Sequence, residues 1–243
     1  MSASLVVTAL VGLVALVGTG CESSQDLSAK LQKEGARVIA SQHGLVIRAI
    51  NPYVRVVQTG VVTDPNGTAV AVIVRNIRPT PLAAVPIAID VLGSGGKSVF
   101  RNNTPGLESS LVAVPELPPG REFAWVDDQV IPTGRALSVQ AKIGVAGQGA
   151  PATPPRIVVG APHVTNDPQS GLEAVGTIAN RSKITQLKLF VYVVAWRGRK
   201  LVSAGRGAIA QLAGGAHTKY HVYLIGNPGG ARLTVEAPPT VLR

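Results

Sequence analysis

Two patterns of apolar residues divide the chain. From Ala3 to Cys21, Leu, Val, Ala and Gly follow one another almost without a polar break, and the run closes on Gly18-Thr19-Gly20-Cys21. That is the length of a bilayer-spanning segment or a signal-peptide apolar core, with small residues where a peptidase cuts. From Leu45 onward the period becomes two. Val70, Val72 and Val74 alternate with Ala69, Ala71 and Ile73, and Leu137, Val139, Ala141 and Ile143 alternate with Ala136, Ser138, Gln140 and Lys142. One apolar face and one mixed face is what a strand shows when another sheet covers one side. Turn formers separate the strands at Pro65-Asn66-Gly67, Gly93-Ser94-Gly95-Gly96 and Pro118-Pro119-Gly120, which is the spacing of an all-β sandwich. Between the two patterns, residues 25–42 carry helical composition (Leu27, Lys30, Leu31, Lys33, Glu34) until Gly35 interrupts it. A helix this short is marginal alone, so a flexible or partly helical tether is expected there.

The alternating part repeats itself. Val70 to Asn76 has a counterpart in Glu173 to Asn180, each a strand ended by Asn. Ile87 to Val91, a glycine turn and Lys97-Ser98-Val99 match Phe190 to Val194, a turn at Gly198 and Lys200-Leu201-Val202. Leu117-Pro118-Pro119-Gly120 before Phe123 and Trp125 matches Leu212-Ala213-Gly214-Gly215 before Tyr220 and Val222, and Arg135 to Val139 matches Ala231 to Val235. Blocks in one order at similar spacing indicate a module used twice. A Pro/Ala stretch, 149–155, lies between the copies and reads as a semi-stiff spacer between two beads.

Thr19, Gly20 and Cys21 resemble the processing box of bacterial lipoprotein signal peptides. The resemblance implies a signal peptide over 1–20, a diacylglyceryl group on Cys21, a tether over 21–43 and a body held at the outer face of the cell membrane. An uncleaved membrane-spanning helix is the alternative, and it too places the remainder outside the cytoplasm. The two alternating halves resemble the small immunoglobulin-like modules of the FxLYD family in Asn76, Asn180, Phe190, Tyr192, Gly96, Gly198 and the 117–120 step. The pair expected before the turn is replaced by Val91-Leu92 and Ala195-Trp196. That likeness implies two tandem immunoglobulin-like β-sandwich domains, at 44–148 and 156–243, and a structural or interaction role without catalytic residues.

Composition narrows the chemistry. Cys21 is the one cysteine, so the exported part has neither disulfide nor thiolate metal site, and burial of apolar surface must hold it together. His43, His163, His217 and His221 sit in no catalytic motif. In an alternating stretch His217 and His221 lie about 13 Å apart with Lys219 between them, so they do not share a metal. Asp127-Asp128 is the paired carboxylate, but strand neighbours point to opposite faces, and a solvated turn is the plain expectation. No catalytic residue, metal or cofactor is therefore expected.

Charge is the remaining signal. Residues 44–149 carry nine basic and seven acidic side chains, whereas 150–243 carry eleven and three. Arg181, Lys183, Lys188, Arg197, Arg199, Lys200 and Arg206 fall in one acid-free stretch and are candidates for contacts with anionic lipid or wall polymer. Edge-strand protection is the ordinary alternative. Nucleic acid is not an expected partner, because export removes the chain from it and no set of stacking aromatics interleaves the charges, although Trp196 lies among them. The sequence thus describes a non-enzymatic, membrane-anchored binding or spacer module at the cell envelope, with an envelope protein among its candidate partners. A carrier that holds a small molecule or glycan between the halves is the alternative, although aromatics are only 4% of residues. A hydrolase would require His163, His217 or His221 to meet a Ser and a carboxylate in space.

Overall fold

The computed structural model describes residues 32–35, 44–146, 148–168 and 171–243. Residues 32–35 form an exposed helical turn within the unit Met1–Ser41. The apolar run, Cys21 and the rest of the expected tether lie outside the described residues. Among those described, no helix is long and apolar enough to cross a membrane. The unit Gln42–Arg243 is all β apart from short 3-10 turns at Ser94–Gly96 and Ser109–Leu111.

Its first half runs through β1 (Val54–Asp64), β2 (Gly67–Asn76), β3 (Leu82–Leu92), β4 (Ser98–Arg101), β5 (Ala113–Leu117), β6 (Glu122–Val130), β7 (Ser138–Ile143) and β8 (Gln148–Gly149). All pairings are antiparallel, and β1-β2-β6 form one sheet. In the other sheet, Leu82 pairs with both Leu117 and Gly149, and Asp90 with both Arg101 and Gln140. β3 is therefore central, with β4 and β5 along one edge and β7 and β8 along the other. The break between β4 and β5 is filled by buried Asn102. Its Nδ2 donates to Ile87 O at 2.9 Å and Leu111 O at 2.7 Å, and its Oδ1 accepts from Ile89 N at 2.7 Å. A side chain thus supplies the ladder bonds a continuous strand would make.

The second half runs through β9 (Ile157–Val159), β10 (His163–Asp167), β11 (Gly171–Asn180), β12 (Gln186–Arg197), β13 (Lys200–Leu212), β14 (His217–Tyr223), β15 (Ile225–Gly226) and β16 (Leu233–Glu236). Here β11 lies between β14 and the β9/β10 edge, and β12 lies between β13 and β16. This is the pairing scheme of the first half, and the matched sequence blocks fall on equivalent strands. The asparagines ending β2 and β11 also do the same work. Asn76 Nδ2 donates to Thr80 O and Leu117 O at 2.9 and 3.1 Å; Asn180 Nδ2 donates to Ile184 O and Leu212 O at 2.8 and 3.1 Å. Their carbonyls accept from Gly120 N and Gly215 N. Each half also holds one non-glycine residue in the left-handed region, Ala84 (φ 47°) and Lys188 (φ 48°), at the same step beyond its Asn.

The boundary at 149–155 separates these strand sets in sequence but not in their cores. Along β12, Leu189, Val191 and Val193 enter one apolar cluster, formed by the second half alone. Phe190, Tyr192 and Val194 enter the other, together with Val70, Val72, Val74, Phe123 and Trp125 of the first half. A strand buried on both faces has no solvent side. The sheet β1-β2-β6 is likewise packed on both faces, as two neighbours on β1 show. Thr59 Oγ1 donates to Val139 O within its own half at 3.0 Å, whereas a Cβ on Gly60 would stand 2.7 Å from Leu201 Cβ and 2.8 Å from the Trp196 ring. Glycine is what allows that approach. Phe123 and Tyr192 meet edge to face, with ring centroids 5.1 Å apart.

Two outcomes follow from this packing. Asn180→Ala removes the buried bond to Leu212 O and leaves Ile184 O only the longer bonds from Ser182 Oγ and Gln186 Nε2, and it should cost about 2 kcal/mol in urea unfolding. Single-tryptophan variants that report Trp125 and Trp196 separately should unfold at the same denaturant concentration, because one core contains residues of both halves; two separated midpoints would contradict it.

Candidate functional site

The loops and strand ends of both halves meet in a crevice of about 430 Å³. Glu116 enters it from β5, held opposite Ala83 of β3. Arg121 and Glu122 come from the turn that Asn76 fastens through Gly120. Arg156 precedes β9, and Glu236 ends β16. Between these charges the walls are Pro118, Pro119, Pro154, Pro155, Pro238 and Pro239, with Phe123, Ile157, Val159 and Val235. Proline fixes φ, so these walls need little ordering when something binds.

Glu116 is 4% exposed, and its side chain makes no hydrogen bond or ion pair with a described residue. Burial pushes its carboxyl up to about 7, with the Arg121 guanidinium pulling the other way. Burial also raises Glu236, whose Oε2 accepts from Ala124 N at 2.8 Å. A buried and a half-buried carboxyl with raised affinity for protons share one crevice with exposed guanidinium groups that form no ion pair with a described residue, which suits a binding site more than a structural ion pair.

A second charged cluster joins the halves. The Arg206 side chain, 4% exposed, lies 3.4 Å from Asp128 Oδ1 and 3.7 Å from Glu108 Oε2, and it donates to Ser110 Oγ. Its guanidinium sits over the Phe190 ring at 5.0 Å, and its backbone N donates to Asp128 Oδ2 at 2.9 Å. Burial pushes Asp127 up to about 6, although the backbone of Gln129 donates to it, and burial raises Asp128 against the pull of Arg206. Burial raises the Tyr192 phenol as well, with Arg206 holding it back. Arg206 is met by Asp128, Glu108 and Ser110, so the cluster reads as a fastening, although the buried Tyr192 hydroxyl within it has no hydrogen-bond partner among the described residues.

The sequence-selected residues fare differently. The basic set does not form one surface. Arg181 and Lys183 lie in the connection before β12, whereas Arg197, Arg199 and Lys200 surround the turn after it, about 35 Å along the strand. Lys188 is exposed on β12, 3.9 Å from Glu108. Arg206 is no surface contact: it stands opposite Tyr192 in the pairing of β12 and β13 and points into the shared core. Nearness in sequence counted its charge without giving its direction. Asp127 and Asp128 are on β6 and not in a solvated turn, and Asp127 is 2% exposed. His217 and His221 are exposed on β14, as the alternation implies, and His221 Nδ1 lies 2.9 Å from Glu173 Oε1. His163 stands opposite Val175, as His221 does from the other edge. Among the described residues no group of three or more His, Cys, Asp or Glu is placed to hold a metal.

Sequence reasoning missed Glu116. The available signal was a lone acid in Pro115-Glu116-Leu117-Pro118-Pro119, where an exposed strand would be more polar. No protein-family model matches the chain, and no curated protein matches it.

Protonation of Glu116 is linked to stability. Its native carboxyl holds a proton more tightly than the unfolded one, so its stabilising contribution is complete below pH 4.5 and is lost as pH rises through about 7. Glu116→Gln should match the parent near pH 4 and exceed it by up to about 3 kcal/mol at pH 8, read from urea unfolding at both pH values. Equal pH dependence in the two proteins would show that Glu116 ionises without penalty.

Proposed function

We propose that the chain is an exported bacterial lipoprotein, anchored through Cys21, whose β body is a non-enzymatic binding module at the cell envelope. Anchoring rests on the apolar run that ends at the single cysteine, immediately before the polar segment Glu22 to Asp26. Two acyl chains on that sulfur would bury enough methylene surface for stable attachment, which one chain does not provide. Binding rests on the crevice, where a buried carboxyl and two guanidinium groups face a common space. The repeated pairing scheme supports descent from one immunoglobulin-like module used twice. Within this reading the shared core makes the two copies act as a single rigid body.

The exposed cations at Arg197, Arg199 and Lys200 support a weak, salt-sensitive contact between one end of this body and anionic lipid or wall polymer. Arg206 takes no part in it. The carrier reading, in which a small molecule lies between the halves, is favoured over a pure spacer by the unpartnered Glu116. Phe123 is the one aromatic in that crevice, which points to polar recognition instead of an aromatic cage.

Expressed at full length in a bacterial host, the protein should fractionate with membranes. Its intact mass should lack residues 1–20 and include a diacylglyceryl group on Cys21. Cys21→Ala should leave the signal uncleaved by the lipoprotein peptidase and remove the acyl mass. A wild-type product that is soluble, retains Met1 and bears no acyl group would overturn the anchoring.

A further inference from the structure

Opposite charges that line one cavity normally close on each other unless something between them is better. In this crevice they do not close. The Glu116 side chain has no hydrogen-bond or ion-pair partner among the described residues and feels Arg121 only at a distance. Arg121 and Arg156 line the same space and form no ion pair with any described residue. Glu236 commits one carboxylate oxygen to Ala124 N. Apart from the exposed Glu122, which forms no ion pair with a described residue, the walls between these groups are apolar or proline. A largely buried carboxyl that opens on such a space without a described partner is placed to meet what enters it.

What fills such a space must bring a cation to the carboxyls and an anion to the guanidinium groups. A metal ion is a poor candidate for the cation, since the described carboxylates and histidines form no ligating group. An ammonium group needs only one or two carboxylates and accepts looser geometry. The volume of about 430 Å³ lies at the small end of ligand cavities, the size of an amino acid or a few linked residues. We propose that the crevice binds a small zwitterion, an amino acid or short peptide, with its ammonium at Glu116 and Glu236 and its carboxylate at Arg121 or Arg156. Its side chain would lie on Ile157, Val159 and Val235. This rests on the crevice being a ligand site and is independent of the anchor.

A pH dependence follows. The ammonium binds ionised Glu116, so affinity should fall below pH 7, by up to about tenfold per pH unit.

Titration calorimetry on the full-length protein, with four probes, tests this. Glycylleucine carries both charges, N-acetylglycylleucine only the carboxylate, glycylleucinamide only the ammonium, and putrescine two ammonium groups. Glycylleucine should bind, and blocking either end should weaken it by about tenfold or more. Glu116→Gln should give a similar loss, and so should Arg121→Gln combined with Arg156→Gln, whose surface positions leave folding intact. Glycylleucinamide or putrescine binding as well as glycylleucine, in a Glu116-dependent way, would overturn the zwitterion while leaving a ligand site for cations. Glycylleucine binding that survives both sets of variants would place it elsewhere and overturn the proposal. No binding of any probe at about 10 mM would remove the ligand-site reading itself.

Discussion

β12 carries the constraint on which the rest of the body depends. Its successive side chains enter two different apolar clusters, so neither face can be given to water. Each large apolar side chain so buried contributes about 1.5–3 kcal/mol relative to exposure. Exposing Phe190, Tyr192 and Val194 together would remove much of the margin by which a domain is stable. The first half needs the second for the same reason, because Gly60 and Val62 on β1 lie against Trp196, Leu201 and Gly226. The chain has no disulfide to compensate for a smaller core, and a core built from both halves enlarges the buried fraction instead.

Burial at this junction extends to charge. Arg206 is taken out of water, which is favourable only if its attraction to Asp128 and Glu108 and its contact with Phe190 outweigh lost hydration. Such clusters add little net stability, but they fix one arrangement, since a shifted junction would leave Arg206 buried and unpaired. Asp64 adds a lock of the same kind, its Oδ2 accepting from Gly226 N at 2.7 Å. The crevice has its own tie between the halves, Glu236 Oε2 accepting from Ala124 N at 2.8 Å, and its proline walls need little ordering before a ligand arrives.

Much of the fold was legible in the sequence, and little of the site. Alternation along β2 and β7, the asparagines at 76 and 180 and the glycine turns pointed to the all-β class and to the matched blocks, because each reflects a local backbone or patterning requirement. Arg206 was misplaced, since a charge run looks the same whether its members face out or in. The clue lay in β12 itself: Leu189 to Ala195 is apolar at every position, the signature of burial on both faces. The equivalence of Ala84 and Lys188 could not be read at all, because neither is a residue that favours a left-handed backbone. Glu116 became interesting only once the walls around it came together from segments as distant in sequence as 81 and 239.

If the halves share one core, neither is complete alone. The most direct measurement is the folding of residues 156–243 expressed in isolation, followed by near-ultraviolet circular dichroism, amide exchange and dye binding. The shared core predicts a fragment without fixed packing, which binds apolar dyes through the uncovered side of β12 and shows little slow exchange. A monomeric fragment with dispersed spectra, slow-exchanging amides in β12 and a cooperative unfolding transition would contradict it.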